Sequence, residues 1–171
     1  AYTDGSSINN PGPAGAGVFF DESGSSLAPQ SWALGKASNN VGELFAIGAA
    51  AESIMVARGA GMAAGIRAFI LTDSDNGVGR LVAKAKPSDD VLVVMVRRAV
   101  QRCRDQGPLG LIWVPGHCGV PGNEAADDEA SNGSINSMRT GADRHGDSIG
   151  GWNFITDTVV TSILTTAAEW G

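Results

Sequence analysis

The sequence predicts an α/β fold, a mixed β-sheet flanked by helices, from three observations. Strand signals come first; helix and strand signals then alternate; and the helical stretches carry apolar residues at helical rather than alternating spacing. A short apolar start leads to Asp4, which is expected to end the first strand. Residues 9–17 (NNPGPAGAG) read as a turn cluster, and residues 17–20 and 27–34 as antiparallel strands around the DESGSS turn. Residues 41–58 predict a helix capped by Asn39 or Asn40. RAFILT (67–72) is a buried strand ending at Asp73. A helix over 74–84 follows, Pro87 interrupts, and a second helix spans 88–106 with Ser88 or Asp89 as its cap. Residues 109–114 form another strand, and a last helix opens over 123–130. Residues 131–151 are rich in Gly, Ser, Asn and Asp and read as a linker, while 154–170 regain the apolar residues of a closing helix.

With 171 residues, 43% of them hydrophobic, the chain can bury one core of its own. No membrane-spanning stretch is expected, because the alanine-rich run over 42–62 is broken by Glu43, Glu52 and Arg58. Nor does a basic region followed by an apolar core open the chain, so no secretory leader is expected. Cys103 and Cys118 are too few and too unpatterned for a disulfide framework or a thiolate zinc site. These features together suggest an intracellular setting, cytoplasm or nucleus. The net charge of −6 runs against the usual balance of a nucleic-acid binder. Its distribution runs the other way: Arg80, Lys84, Lys86, Arg97, Arg98, Arg102 and Arg104 gather seven of the 12 basic residues into one segment. That segment reads equally well as a solvated helix face.

Four acidic residues stand at comparable points of the predicted order. Asp4 and Asp73 end strands, whereas Glu43 and Asp127 lie near helix starts. Neighbouring strands would bring both aspartates to one sheet edge, where α/β proteins tend to place ligand sites, and flanking helices could deliver the other two. Four clustered carboxylates repel one another unless a cation neutralises them. Oxygen donors without paired His or Cys favour Mg²⁺, with Mn²⁺ as a substitute. Two such ions ~4 Å apart can activate a water and stabilise the leaving 3′ oxygen of a phosphodiester. Any one of these carboxylates alone would read as a cap partner or surface charge; the combination carries the argument.

Four segments, YTDGSSINNPGPAGAG around Asp4, SNNVGEL around Glu43, ILTDS around Asp73 and WVPGHCGVPGNEAADDEA around His117 and Asp127, resemble type 1 ribonuclease H in this order and at fitting distances. The resemblance covers residues 2 to about 130. It implies the ribonuclease H-like fold, a five-stranded mixed sheet of three antiparallel and then parallel strands, with residues 1–132 as the catalytic domain and 133–171 as linker and tail. It implies an endoribonuclease that hydrolyses the RNA strand of RNA/DNA hybrids, leaving 5′-phosphate and 3′-hydroxyl ends. Two Mg²⁺ ions would be held by Asp4, Glu43, Asp73 and Asp127; Asp128 is the neighbouring alternative to the last. His117 would assist proton transfer or product departure, as an imidazole near neutral pH can, and Glu124 would influence metal exchange. Gly5, Ser6 and Asn10 would flank the RNA strand, and Ser38, Asn39 and Asn40 would approach the minor groove, where the 2′-hydroxyl distinguishes RNA. These six are also ordinary turn and cap residues. His145 carries no role.

Two departures from the family pattern stand out. Asp75 follows Ser74 where the family often has a substrate-contacting glutamine, which sets an extra anion beside a phosphate backbone. Only 44 positions separate Asp73 from His117, room for two helices rather than three. Retroviral and retroelement ribonuclease H domains share that shortening. With the abrupt start, this points to a domain cut from a retroelement polyprotein, monomeric by itself and assisted by an attached reverse transcriptase.

Overall fold

The computed structural model describes residues 1–21, 27–61, 66–86 and 90–140. Five strands, β1 (Tyr2–Ser7), β2 (Gly12–Phe19), β3 (Gln30–Ala37), β4 (Ala68–Thr72) and β5 (Leu109–Trp113), form one sheet in the order β3-β2-β1-β4-β5. The first three are antiparallel neighbours, and β4 pairs in parallel with both β1 and β5. Four helices flank the sheet: α1 (Asn39–Gly59), α2 (Asp75–Val82), α3 (Val91–Gln106) and α4 (Pro121–Thr140). The α/β expectation and its five-stranded mixed sheet are met.

Side chains alternate across a strand, so each strand serves two different partners. One face carries α1 and α3. Leu44, Phe45 and Ile47 of α1, Val93 and Val96 of α3, and Val18 and Ile70 of the sheet are all buried there. By length and composition alone α1 could cross a membrane, contrary to the sequence expectation. Its apolar residues are consumed in this core instead. Arg58, at its C-terminal end, donates to the carbonyl oxygens of Cys103 (2.6 Å) and Pro108 (2.6 Å), tying α1 to the turn before β5.

The other face carries α4, which lies across β1, β2 and β3. Here the approach is backbone to backbone. A Cβ on Gly17 would stand 2.2 Å from the Ala126 carbonyl oxygen and 2.4 Å from the Ala130 nitrogen, so only glycine lets the helix settle this close.

Several predicted boundaries are corrected by this packing. The Asn9 cluster is a turn only as far as Pro11, because β2 begins at Gly12. Its small residues are the signature of a strand squeezed between two helices. Asp4 lies in the middle of β1 rather than at its end, since pairing with β2 runs on to Ser7. β3 starts at Gln30, just past Pro29, which has no N–H for a ladder. Ser38, not Asn39 or Asn40, occupies the N-cap position of α1: its carbonyl accepts from Val41 N–H (3.1 Å) and Gly42 N–H (3.3 Å), while its side chain makes no capping bond. Asp90 caps α3 by accepting from Leu92 N–H (2.8 Å); Ser88 and Asp89 lie outside the described residues.

The largest correction concerns 131–140, read as linker and found as the second half of α4, with Gly133, Ser134 and Ser137 buried. Ser137 Oγ donates to the Ala14 carbonyl (2.6 Å) and accepts from Gly35 N–H (3.1 Å). Gly and Ser serve a close helix-to-sheet contact here rather than a mobile segment. The expected closing helix over 154–170 and His145 lie outside the described residues.

Candidate active site

β1 and β4 are parallel neighbours in the middle of the sheet, with Thr3 in register with Thr72. Asp4 and Asp73 are the next residue along each strand and so emerge side by side. Asp4 pairs across from Gly17 and is 6% exposed. Its Oδ1 accepts from Gly5 N–H (2.7 Å). The Asp4 carboxyl is pushed up to about 8 by burial first, then by the neighbouring Asp73 and Asp127 carboxylates, with the Gly5 N–H acting in the opposite sense. Asp127, which brings α4 to the site, acts on Asp4 in the raising sense and so faces it from that helix. The adjacent Asp128 is exposed.

Glu43 reaches the site from α1. Its carboxyl is raised by burial, lowered in part by a hydrogen bond from Ser74 and raised again by Asp73. Ser74 stands just before α2 and works in two directions. Its Oγ accepts from Gly77 N–H (2.9 Å), capping the helix, and donates to Glu43 Oε2. Asp73 is gripped from three sides. Trp113 Nε1 donates to its carbonyl oxygen (3.1 Å), Asn123 Nδ2 donates to its Oδ2 (3.3 Å), and a Cβ on Gly116 would lie 2.2 Å from that same Oδ2.

The four carboxylates are therefore linked in a chain, Asp127 to Asp4 to Asp73 to Glu43. Among the described residues no three His, Cys, Asp or Glu side chains already stand as a finished cage for an ion. Nor does any ion pair found among those residues involve one of the four. One buried carboxylate, Asp4, beside three half-buried ones, Glu43, Asp73 and Asp127, all presenting oxygen and none ion-paired to a cationic side chain among the described residues, fits a hard divalent cation in donor chemistry.

His117 is exposed in the loop after β5, with φ of 51°. Gly116 anchors that loop against Asp73 one residue earlier. Glu124 is exposed in the first turn of α4. Of the residues expected to meet substrate, Asn10 and Asn39 are joined side chain to side chain (2.7 Å), and Asn39 N–H donates back to Asn10 Oδ1 (3.2 Å). Gly5 packs at the same rim, where a Cβ would lie 2.6 Å from the Asn39 carbonyl oxygen. Ser38 is half-buried and Asn40 exposed at the start of α1. Ser6 points to the other face, its Oγ 3.4 Å from that of Ser134.

The basic segment is not a uniform cationic strip. Arg97 donates to the carbonyls of Arg80 and Ala83 at the end of α2. Arg102 pairs with Glu52 (3.5 Å) and Arg80 with Asp90 (3.9 Å). Sequence reasoning missed Ser74, Trp113, Gly116 and Asn123. All four lie inside quoted motifs, but only Ser74 carried a signal, that of a helix cap.

The sequence model of the RNase H family matches residues 1–135. No curated protein matches the chain. Among solved structures, the N-terminal RNase H domain of Rv2228c from Mycobacterium tuberculosis, fused to maltose-binding protein, is similar with 26% identity and a TM-score of 0.61, over 81% of this chain and 94% of that one. RNase H1 from the halophilic archaeon Halobacterium salinarum NRC-1 shares 26% identity with a TM-score of 0.58, over 79% of this chain and 96% of that one. LC11-RNase H1, isolated from compost by a metagenomic approach and solved in complex with an RNA/DNA hybrid, shares 25% identity with a TM-score of 0.58, over 77% and 95% of the two chains.

Proposed function

Because the chain belongs to the ribonuclease H family, and is thereby a ribonuclease H hydrolase, we propose that it cuts the RNA strand of RNA/DNA hybrids by a two-metal-ion mechanism. The observation that carries this reading is the carboxylate chain centred on buried Asp4, with no cationic side chain ion-paired to it among the described residues. Asp4, Asp73, Glu43 and Asp127 would hold Mg²⁺ or Mn²⁺. Bound there, such ions would supply an activated water and charge stabilisation at the leaving 3′ oxygen, giving 5′-phosphate and 3′-hydroxyl ends.

The rest falls to the chain's own groups. The rim of Gly5, Asn10 and Asn39 offers backbone and amide groups suited to the 2′-hydroxyl, which both donates and accepts. Asn10 and Asn39 brace each other, so their geometry is set before substrate arrives. His117, exposed on the loop that Gly116 anchors against Asp73, would take or return a proton at the scissile phosphate. Glu124, exposed one turn from Asp127, would act on exchange of the ions.

A cleavage assay tests this: labelled RNA/DNA hybrid, duplex RNA and duplex DNA, each with Mg²⁺, Mn²⁺ or EDTA. Cleavage confined to the RNA of the hybrid, and lost in EDTA, is expected. Cutting of duplex DNA, or activity in EDTA, would refute the reading.

The described connection from β4 to β5 contains two helices, α2 and α3. That brevity favours a retroelement context, in which an attached reverse transcriptase holds the hybrid. Full activity of the isolated chain at nanomolar concentration would count against it.

A further inference from the structure

We propose that Asn123 is a positioning residue for Asp73, holding one carboxylate oxygen so that the other is presented to a divalent cation. The inference rests on the metal-ion reading of the site. Asn123 is the third residue of α4 and is 1% exposed. Its Nδ2 donates to Asp73 Oδ2 at 3.3 Å. The orientation of the amide follows from chemistry, since the reverse arrangement would set a carbonyl oxygen against a carboxylate.

The rest of that amide argues against a stabilising role. Asn123 Oδ1 is buried and has no hydrogen-bond partner among the described residues. A buried amide with an unmet acceptor costs stability, and a leucine, with the same branching and number of heavy atoms, would avoid that cost. What Asn123 contributes is therefore the bond to Asp73. Two neighbours complete the grip: the Trp113 indole N–H holds the Asp73 backbone, and the Gly116 backbone fills the space behind Oδ2. With Oδ2 enclosed by Gly116 and Asn123, Oδ1 is the oxygen left to face the ion. Partners of ligating residues commonly tune metal affinity in this way.

The test uses Asn123→Leu and Asn123→Ser in the full chain. Thermal denaturation checks the fold, calorimetric titration with Mg²⁺ alone reads metal affinity, and hybrid affinity is measured in EDTA. Both variants should melt cooperatively, bind Mg²⁺ about tenfold more weakly, and bind hybrid in EDTA within about twofold of wild type. The Mg²⁺ midpoint for cleavage should move by the same factor as the affinity. In an Asp73→Asn background, Asn123→Leu should add no further loss of Mg²⁺ affinity. A folded variant with unchanged Mg²⁺ affinity, or additive losses in the double variant, overturns the assignment of Asn123 alone. Absence of Mg²⁺ binding by the wild-type chain would instead overturn the metal-ion reading, and this inference with it.

Discussion

The two faces of the sheet are closed by opposite means. Against α1 and α3 the contact is made by large apolar side chains, Leu44, Phe45, Ile47 and Val93, each nearly or fully buried. Against α4 it is made by backbone, with Gly17 under Ala126 and Ala130 and serine hydroxyls bridging the rest. Side-chain burial stabilises generously and tolerates small changes of shape. Backbone contact fixes distance. The site needs both: Glu43 comes from the first face, Asp127 from the second, and Asp4 and Asp73 from the sheet between them. The apolar face supplies most of the stability, and the glycine face sets where Asp127 stands relative to Asp4.

The largest effect should come from the strand that both faces share. Asp73→Asn keeps the shape of the side chain but removes the charge that would hold cations, so hybrid cleavage should fall by at least about 10³-fold, with thermal unfolding still cooperative. Retained Mg²⁺-dependent cleavage would end the four-carboxylate account. The faces are then separated by a pair of substitutions. Leu44→Ala should cost about 2–5 kcal/mol while leaving the rate per folded molecule within about twofold. Gly17→Val should cost more than about 3 kcal/mol and also abolish turnover, because the added atoms force α4 and Asp127 away from Asp4. Normal turnover by folded Gly17→Val would show that the glycine contact does not position the site.

The same contrast governs what could be read from the sequence. The face built of large apolar residues declares itself by periodicity, and α1, β4 and β5 were legible within a few residues. The other face is built from Gly, Ala and Ser, the residues that also make turns and linkers. Hence 9–17 read as a turn although β2 begins at Gly12, and 131–140 read as a linker although α4 runs to Thr140. The four carboxylates were legible because each sits at a predicted element boundary and in a recognisable motif. Ser74 and Asn123 were not, because their function is a hydrogen bond to a carboxylate distant in sequence, and no local pattern encodes that.

Asp4 offers a pH test at the seam between the faces. Its carboxyl is raised from 3.8 to about 8 in the folded chain, so the folded state holds a proton that the unfolded chain releases. Without divalent cations this contribution to stability is complete below about pH 4 and is lost as pH rises toward 8. Asp4→Asn should flatten that part of the profile in EDTA. Mg²⁺, favouring the ionised form, should raise the stability of the wild type most at high pH and do little for the variant. Parallel pH profiles for wild type and Asp4→Asn would show that Asp4 ionises normally in the fold.

The smallest effect distinguishes a seated helix from a linker directly. Ser137 is 3% exposed and joins α4 to both β2 and β3, donating to Ala14 and accepting from Gly35. Ser137→Ala leaves a buried carbonyl and a buried N–H unpaired, which should cost about 1–2 kcal/mol by denaturant unfolding. Ser137 lies almost three helical turns beyond Asp127, so Mg²⁺ affinity and turnover should not change. A cost below about 0.5 kcal/mol would mean that the end of α4 is held loosely, and that Gly17 and its neighbours alone seat the helix.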